Sequence, residues 1–372
     1  MPSYPPATIG MRLADVDTPA LILELDPFER NLRRLPESLG DRKIMVRPHA
    51  KNHKCPQIAM RQMALGAVGV CCQKVSKAET LVEGGVPDVL ITNEVVGKTK
   101  LRRLAALAKQ ARLAVCADDA YNVRALDAAA HEAGVTLNVL VEINVGANRC
   151  GLEPGEPAVK LAQQIAGSAN LRFAGLQAYQ GTAQHMRTME ERRAAIEKAA
   201  AHVKRTRDLL AAAGIPCPKT TGAGTGTYLL EAGSAVYDEL QAGSYIFMDA
   251  DYARNDWTES GIPRFEHSLF VWTTVMSHAD PERAIVDAGL KASSIDSGMP
   301  RIVDGGPAEF IKASDEHGVI RMNGAKPYAV GDKIKLIPGH CDPTVNLYDH
   351  YICMRNDRVE AIWPITARGA LW

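Results

Sequence analysis

Between Lys43 and Met248, short runs of Val, Ile and Leu recur with longer helix-like segments between most of them, the pattern of a parallel sheet built from βα units. The runs are KIMVRP, VGVCC, DVLITN, RLAVCA, LNVLVEINV, LRFAGLQAY, PKTTGAG and LQAGSYIFM. Eight is the number that closes a (β/α)₈ barrel, with an open doubly wound sheet as the structural competitor. An earlier run, TPALILELD, is a ninth strand signal, so one strand must lie outside the barrel. Asp26 and Pro27 after it read as an N-cap and a first helical residue. Beyond about Asp251 the texture changes to strands without intervening helices: FVWTTVMSH, RAIVDAG, DKIKLIPGH, YICMRN and VEAIWPI. The expected organisation is therefore a barrel over 27–250 and a mostly antiparallel β-rich domain from 1–26 and 251–372.

Several functional classes are disfavoured at once. The 372 residues carry 43 Lys and Arg against 43 Asp and Glu, which leaves no electrostatic footprint for nucleic acid or an anionic membrane. No run approaches the roughly 18 apolar residues of a membrane span, and MPSYPPATIG lacks the basic and apolar regions of a signal peptide, so a cytoplasmic location is expected. Eight Cys are scattered without a framework of paired spacings and read as reduced core residues, with Cys71 and Cys72 in an apolar strand-like run.

In a (β/α)₈ barrel the chemistry sits at the C-terminal strand ends, often with a phosphate held after strands seven and eight. Strand one ends in VRPHAKNHK, with His49, Lys51 and His53; strand five runs into Arg149; strand six ends at Tyr179 and Gln180, with His185 just beyond. Strands seven and eight open into TGAGTGTY and QAGSY, where Gly224, Gly226 and Gly243 let backbone N–H groups approach an anion and Thr225 and Ser244 add hydroxyls. A Lys facing phosphate-type loops, with an aromatic between them, suggests a flat phosphorylated cofactor held as an imine, which pyridoxal phosphate satisfies. Arg47, His49 and His53 are candidates for lowering the Lys51 pKa. Taken singly, each feature has a plainer explanation: a solvated basic loop, a flexible glycine turn, an Arg149–Glu142 or Arg149–Glu153 surface pair, a core tyrosine, a His185 that caps a helix.

Together with PHAKNHK, the stretches GVCCQKVSKAE, ITNEVVG, QAYQG, GTGTY, FMDADY, SDEHG and PGHCDPT resemble the fold-type III, alanine racemase-like pyridoxal phosphate enzymes. Within that group they are most similar to D-threonine aldolases and 3-hydroxy-D-aspartate aldolases, from DVDTPALIL to WPITARG. The resemblance implies that Lys51 carries pyridoxal 5'-phosphate, that Arg149 hydrogen-bonds its phenolic oxygen and that Tyr179 lines its ring. It places Gly224, Thr225, Gly243, Ser244 and Tyr245 on the phosphate-binding segments. Racemases set an Arg against the pyridine nitrogen, whereas the matching LQAGSY here offers the neutral Gln241. A homodimer with active sites near the subunit boundary is implied as well.

The run LIPGHCDPT, read as extended, sets His340 and Asp342 on one face with Cys341 pointing away. An imidazole with a hard carboxylate suits Mn²⁺, Co²⁺ or Mg²⁺, and the resemblance is what turns this H-x-D pair from a structural contact into a metal site. The related dehydratases call for H-x-C instead. The expected reaction is retro-aldol cleavage of a D-3-hydroxy amino acid to glycine and an aldehyde, with His185 moving the hydroxyl proton. The aldehyde is acetaldehyde from D-threonine or glyoxylate from 3-hydroxy-D-aspartate, the latter needing a cation for which Arg187 or Lys291 is a candidate. The competing readings are a D-serine or 3-hydroxyaspartate dehydratase, a non-catalytic pyridoxal phosphate carrier and a phosphosugar Schiff-base aldolase.

Overall fold

A computed structural model describes residues 4–257 and 264–372. The first strand, β1 (Ala20–Glu24), leads into helix α1 (Leu25–Leu39). The barrel strands follow: β2 (Met45–Val46), β3 (Val70–Cys72), β4 (Asp88–Glu94), β5 (Arg112–Ala117), β6 (Leu137–Glu142), β7 (Leu171–Ala178), β8 (Thr220–Gly222) and β9 (Glu239–Leu240). The helices interleaved with them are α2 (Pro56–Ala64), α3 (Val75–Glu83), α4 (Lys98–Leu107), α5 (Ala120–Ala133), α6 (Glu156–Gly167), α7 (Met189–Ala212) and α8 (Tyr228–Gly233).

All pairings among these eight strands are parallel, in the order β2-β9-β8-β7-β6-β5-β4-β3. The two ends meet through a bridge between His49 and Cys71, where the Ala50 N–H donates to Cys71 O at 2.7 Å and the Cys71 N–H to Pro48 O at 2.9 Å. The ring therefore closes at the residues that lead into Lys51. Strand alternation sorts the adjacent thiols. Cys71 packs inside the ring with Leu90, Cys116 and Leu140, while Cys72 faces the helical shell with Val70, Val89 and Ile91. All eight cysteines are free, and six are buried.

Two local expectations are corrected. The helix after β1 begins at Leu25 with Glu24 in the N-cap position and no side-chain cap, so Asp26 and Pro27 lie inside its first turn. The eighth barrel strand is only Glu239–Leu240; beyond it Ser244–Ile246 form a 3₁₀ turn, because the chain must bend over the barrel mouth rather than continue through it.

The remaining strands are β10 (Leu269–Asp280), β11 (Arg283–Val286), β12 (Arg301–Ile302), β13 (Glu309–Ala313), β14 (Gly318–Arg321), β15 (Lys333–Ile337), β16 (His350–Arg355) and β17 (Arg358–Pro364), with helix α9 (Cys341–Val345) between β15 and β16. With β1 they make a nine-stranded sheet whose path runs β13-β14-β11-β10-β1-β16-β17. β1 lies antiparallel to β10 and parallel to β16, its one parallel neighbour. One apolar cluster runs from this sheet to the barrel rim through Leu21, Phe28, Phe247, Leu269 and Tyr351. Burial of that cluster holds the sheet domain against the catalytic end of the barrel.

Candidate active site

The strand ends converge on a cavity of about 510 Å³, open mouth included, lined by Lys51, Arg149, Tyr179, Gly224, Thr225, Gln241, Gly243 and Ser244. Sequence reasoning had singled out all of these. Asn52, Gln73, Thr92, Gln177 and Tyr252, to which the sequence assigns no role, line it as well, together with Ala223 and the expected His49. Asn52 lies in PHAKNHK, Gln73 in GVCCQKVSKAE, Thr92 in ITNEVVG, Gln177 in QAYQG and Tyr252 in FMDADY, uncharged side chains within the resembling stretches that by themselves point to no particular chemistry. Tyr245 goes elsewhere: its side chain is buried against Phe265 and its hydroxyl accepts from Gln62 Nε2 at 3.1 Å, so only its backbone can face a phosphate.

The loops fit an anion. Thr225 Oγ1 is buried with no hydrogen-bond partner among the described residues, and Ser244 Oγ receives Asn52 Nδ2 at 3.0 Å. A Cβ at Gly224 would fall 2.4 Å from the side-chain Oε1 of Gln184, which accepts from the Gly226 N–H at 2.8 Å, and one at Gly243 would fall 2.9 Å from the backbone O of His49, so glycine lets the chain pass close to both. Gln241 is held between Gln177 Oε1 and Thr221 Oγ1, each at 2.8 Å from its Nε2, which fixes a neutral side chain in the floor.

The electrostatics of Lys51 differ from expectation. Its Nζ lies 3.1 Å from Asp342 Oδ2, and that carboxylate holds the lysine pKa up. The three groups expected to lower it do not. Arg47 is buried below, paired with Asp88 at 2.7 Å and Glu239 at 3.0 Å. Burial keeps His49 and His53 neutral, the latter pushed down to about 3. Desolvation thus outweighs the cationic character that the basic stretch suggests.

Lys54 also reaches the site. From a backbone φ of 53° its buried ammonium donates to Lys51 O and Asp342 O, both at 2.6 Å, and to Asp342 Oδ1 at 3.0 Å. Asp342 stays ionised well below the usual carboxylate range: burial opposes this, but Lys51 and Lys54 outweigh it.

The segment around Asp342 is not extended. His340 occupies the N-cap position of α9, with Asp342 in the first turn and Cys341 fully buried behind. His340 Nδ1 lies 2.8 Å from Asp296 Oδ2, the arrangement in which a carboxylate fixes the ring so that Nε2 can ligate. Among the described residues no group of three or more His, Cys, Asp or Glu forms a ready-made metal cage. An His340 and Asp342 pair leaves the remaining positions of a hard cation to water and substrate.

His185 stands outside the cavity wall, its ring 6.1 Å from that of Tyr252. The candidates for a distal carboxylate are committed elsewhere: Arg187 bonds Asp251 and Asn255, and Lys291 pairs with Glu316 at the surface. Arg149 has its Nη2 3.9 Å from Glu142 Oε1. Burial first, then the neighbouring Glu94, push the Glu142 carboxyl up to about 8. Since the folded state favours the protonated form, this group's contribution to stability is complete below about 4.5 and is lost as pH rises towards 8. Glu142→Gln is expected to flatten that part of a Tm-versus-pH curve, and an unchanged slope would refute it.

Barrel, sheet and cavity define a class: residues 23–251 match the alanine racemase N-terminal domain and residues 268–354 the putative serine dehydratase domain, and the chain belongs to this alanine racemase-like family. Within it, the chain is 48% identical to a D-threonine aldolase of an Arthrobacter species and 47% identical to a 3-hydroxy-D-aspartate aldolase of Paracoccus denitrificans. Each alignment covers 98% of this chain and at least 95% of the relative. The crystal structure of D-threonine aldolase from Filomicrobium marinum superposes with a TM-score of 0.96 at 51% identity, covering 99% of this chain and 100% of that one. The D-threo-3-hydroxyaspartate dehydratase of a Delftia species is more distant, at 27% identity over 94% of this chain and 97% of its own length. Family and relatives support pyridoxal 5'-phosphate as the cofactor.

Proposed function

We infer that the protein is an aldehyde-lyase that cleaves D-3-hydroxy amino acids, D-threonine or 3-hydroxy-D-aspartate, to glycine and acetaldehyde or glyoxylate. The observation that carries the reading is the contact of Lys51 with Asp342, which joins the cavity, with its glycine and hydroxyl loops, to the H-x-D segment. When bound, pyridoxal phosphate supplies an electron sink for charge left on Cα, and a divalent cation, Mn²⁺, Co²⁺ or Mg²⁺, supplies a Lewis acid for the β-hydroxyl.

The chain's own groups do the rest. Thr225, Ser244 and the backbone at Gly224, Gly243 and Tyr245 would hold the phosphate, while Lys51 would anchor the cofactor through its amine. Arg149 would hydrogen-bond its phenolic oxygen, Tyr179 would line its ring and Gln241 would be the neutral partner offered to its pyridine nitrogen. His340 and Asp342 would hold the cation, and His185 would take the β-hydroxyl proton. The working unit is a homodimer.

Glycine as product separates this activity from a dehydratase, which releases ammonia and a keto acid. The test is kcat/KM for D-threonine against 3-hydroxy-D-aspartate in the presence of Mn²⁺, with both glycine and ammonia measured. Ammonia without glycine would overturn the reading. His185→Ala is expected to lower kcat by roughly 10²-fold or more while the cofactor stays bound. An unchanged kcat would leave His185 a structural residue.

A further inference from the structure

The carboxylate beside His185 has two distinguishable oxygens. Asp251 is only 4% exposed, and its Oδ2 lies 2.7 Å from His185 Nδ1. Its Oδ1 accepts from Arg187 Nη2 at 2.6 Å and from Arg254 Nη2. Arg187 is itself fixed by Asp251 O at 2.8 Å and Asn255 Oδ1 at 2.7 Å, and Arg254 by Ser297 O at 2.8 Å. Burial works against ionisation of Asp251, but the bonds from Arg187, His185 and Arg254 keep its carboxyl below the usual range. On the far side of the imidazole, Nε2 makes no hydrogen bond among the described residues.

We propose that Asp251 is a positioning residue: its Oδ2 accepts the Nδ1 proton of His185, so that Nε2 presents its lone pair to the substrate hydroxyl. Arg187 and Arg254 on Oδ1 determine which oxygen faces the ring. This rests on the reading of His185 as the group that takes the β-hydroxyl proton.

The asymmetry gives an unusual expectation for the isosteric variant. In Asp251→Asn the position between the two guanidinium groups still requires an acceptor, so the amide oxygen turns there and the NH₂ turns towards His185. An NH₂ can only donate, so Nδ1 becomes an acceptor and the imidazole proton moves to Nε2. The ring keeps its place but carries the tautomer that cannot take a proton from substrate.

The experiment uses holoenzyme with ¹⁵N-labelled histidine rings, the His185 signals being assigned from their loss in His185→Ala. Wild type is expected to show neutral His185 protonated at Nδ1, and Asp251→Asn to show it protonated at Nε2. The variant's kcat is expected to fall by roughly 10²-fold or more with KM nearly unchanged, comparable to His185→Ala. Wild-type His185 protonated at Nε2 would overturn the proposal even if the variant did not fold. So would a variant kcat within about threefold of wild type while His185→Ala is impaired, which leaves the proton-transfer reading intact. Normal turnover by His185→Ala would overturn both.

Discussion

Lys51→Ala is expected to fold, to bind pyridoxal phosphate weakly through the loops after β8 and β9, and to turn over at least about 10³-fold more slowly. Folding is expected because Asp342 does not lose its counter-ion: Lys54 remains 3.0 Å from Oδ1. Lys54 cannot substitute chemically. Its ammonium is surrounded by four acceptors, Lys51 O, Asn52 O, Asp342 O and Asp342 Oδ1, which leave it no free proton to exchange, and burial keeps it out of the cavity wall. Borohydride is expected to fix the cofactor covalently to wild type and not to the variant, as read by intact mass. Turnover near that of wild type would remove Lys51 from its assigned role.

Chelation is expected to abolish activity without unfolding the protein or releasing the cofactor, and added Mn²⁺ to restore it, because two protein ligands give a modest affinity. Asp342→Ala is a blunt test of that site, since stripping the partner from a buried cation costs on the order of 3–5 kcal/mol and Lys54 is such a cation. Asp342→Asn keeps an acceptor for Lys54 and is the sharper variant. Its kcat is expected to fall by roughly 10²-fold or more and to resist Mn²⁺. Cys341→Ala is expected to remain metal-dependent and active, because its thiol is fully buried and turned towards Met248 O at 3.8 Å. Metal dependence lost in Cys341→Ala but kept in Asp342→Asn would overturn the H-x-D assignment.

The barrel was legible because its strands are short apolar runs separated by helices, and every run marked a real strand. What period and composition did not reveal was where a strand stops. LQAGSYIFM reads as one continuous strand, yet only its first residue, Leu240, pairs in β9, together with Glu239 just before the run. Strands β12, β13 and β14 went unmarked, EFIKA and GVIR being too short and too mixed in polarity to stand out. The cavity's charged and glycine residues were legible through their chemistry, whereas Gln73, Thr92 and Gln177, although inside GVCCQKVSKAE, ITNEVVG and QAYQG, are uncharged and acquire a role only when the ring brings strand ends together. Electrostatics were the least legible. A basic stretch looks cationic in sequence, but burial neutralises His49 and His53, and Asp342, almost 300 residues away, sets the charge of Lys51.

The placement of β1 between β10 and β16 bears on the order in which a growing chain can assemble. Residues 20–24 are made before the barrel, but their partners at 269–272 and 352–354 are made after it. The barrel, whose neighbouring strands are mostly close in sequence, can form while β1 still waits with both edges unpaired. His340 and Asp342 lie just ahead of β16, so the segment proposed to hold the cation reaches Lys51 only after the whole barrel has been made. A nascent chain stalled before residue 340 would therefore carry a cofactor cradle without its metal half, and its exposed β1 edges would be a natural substrate for chaperones.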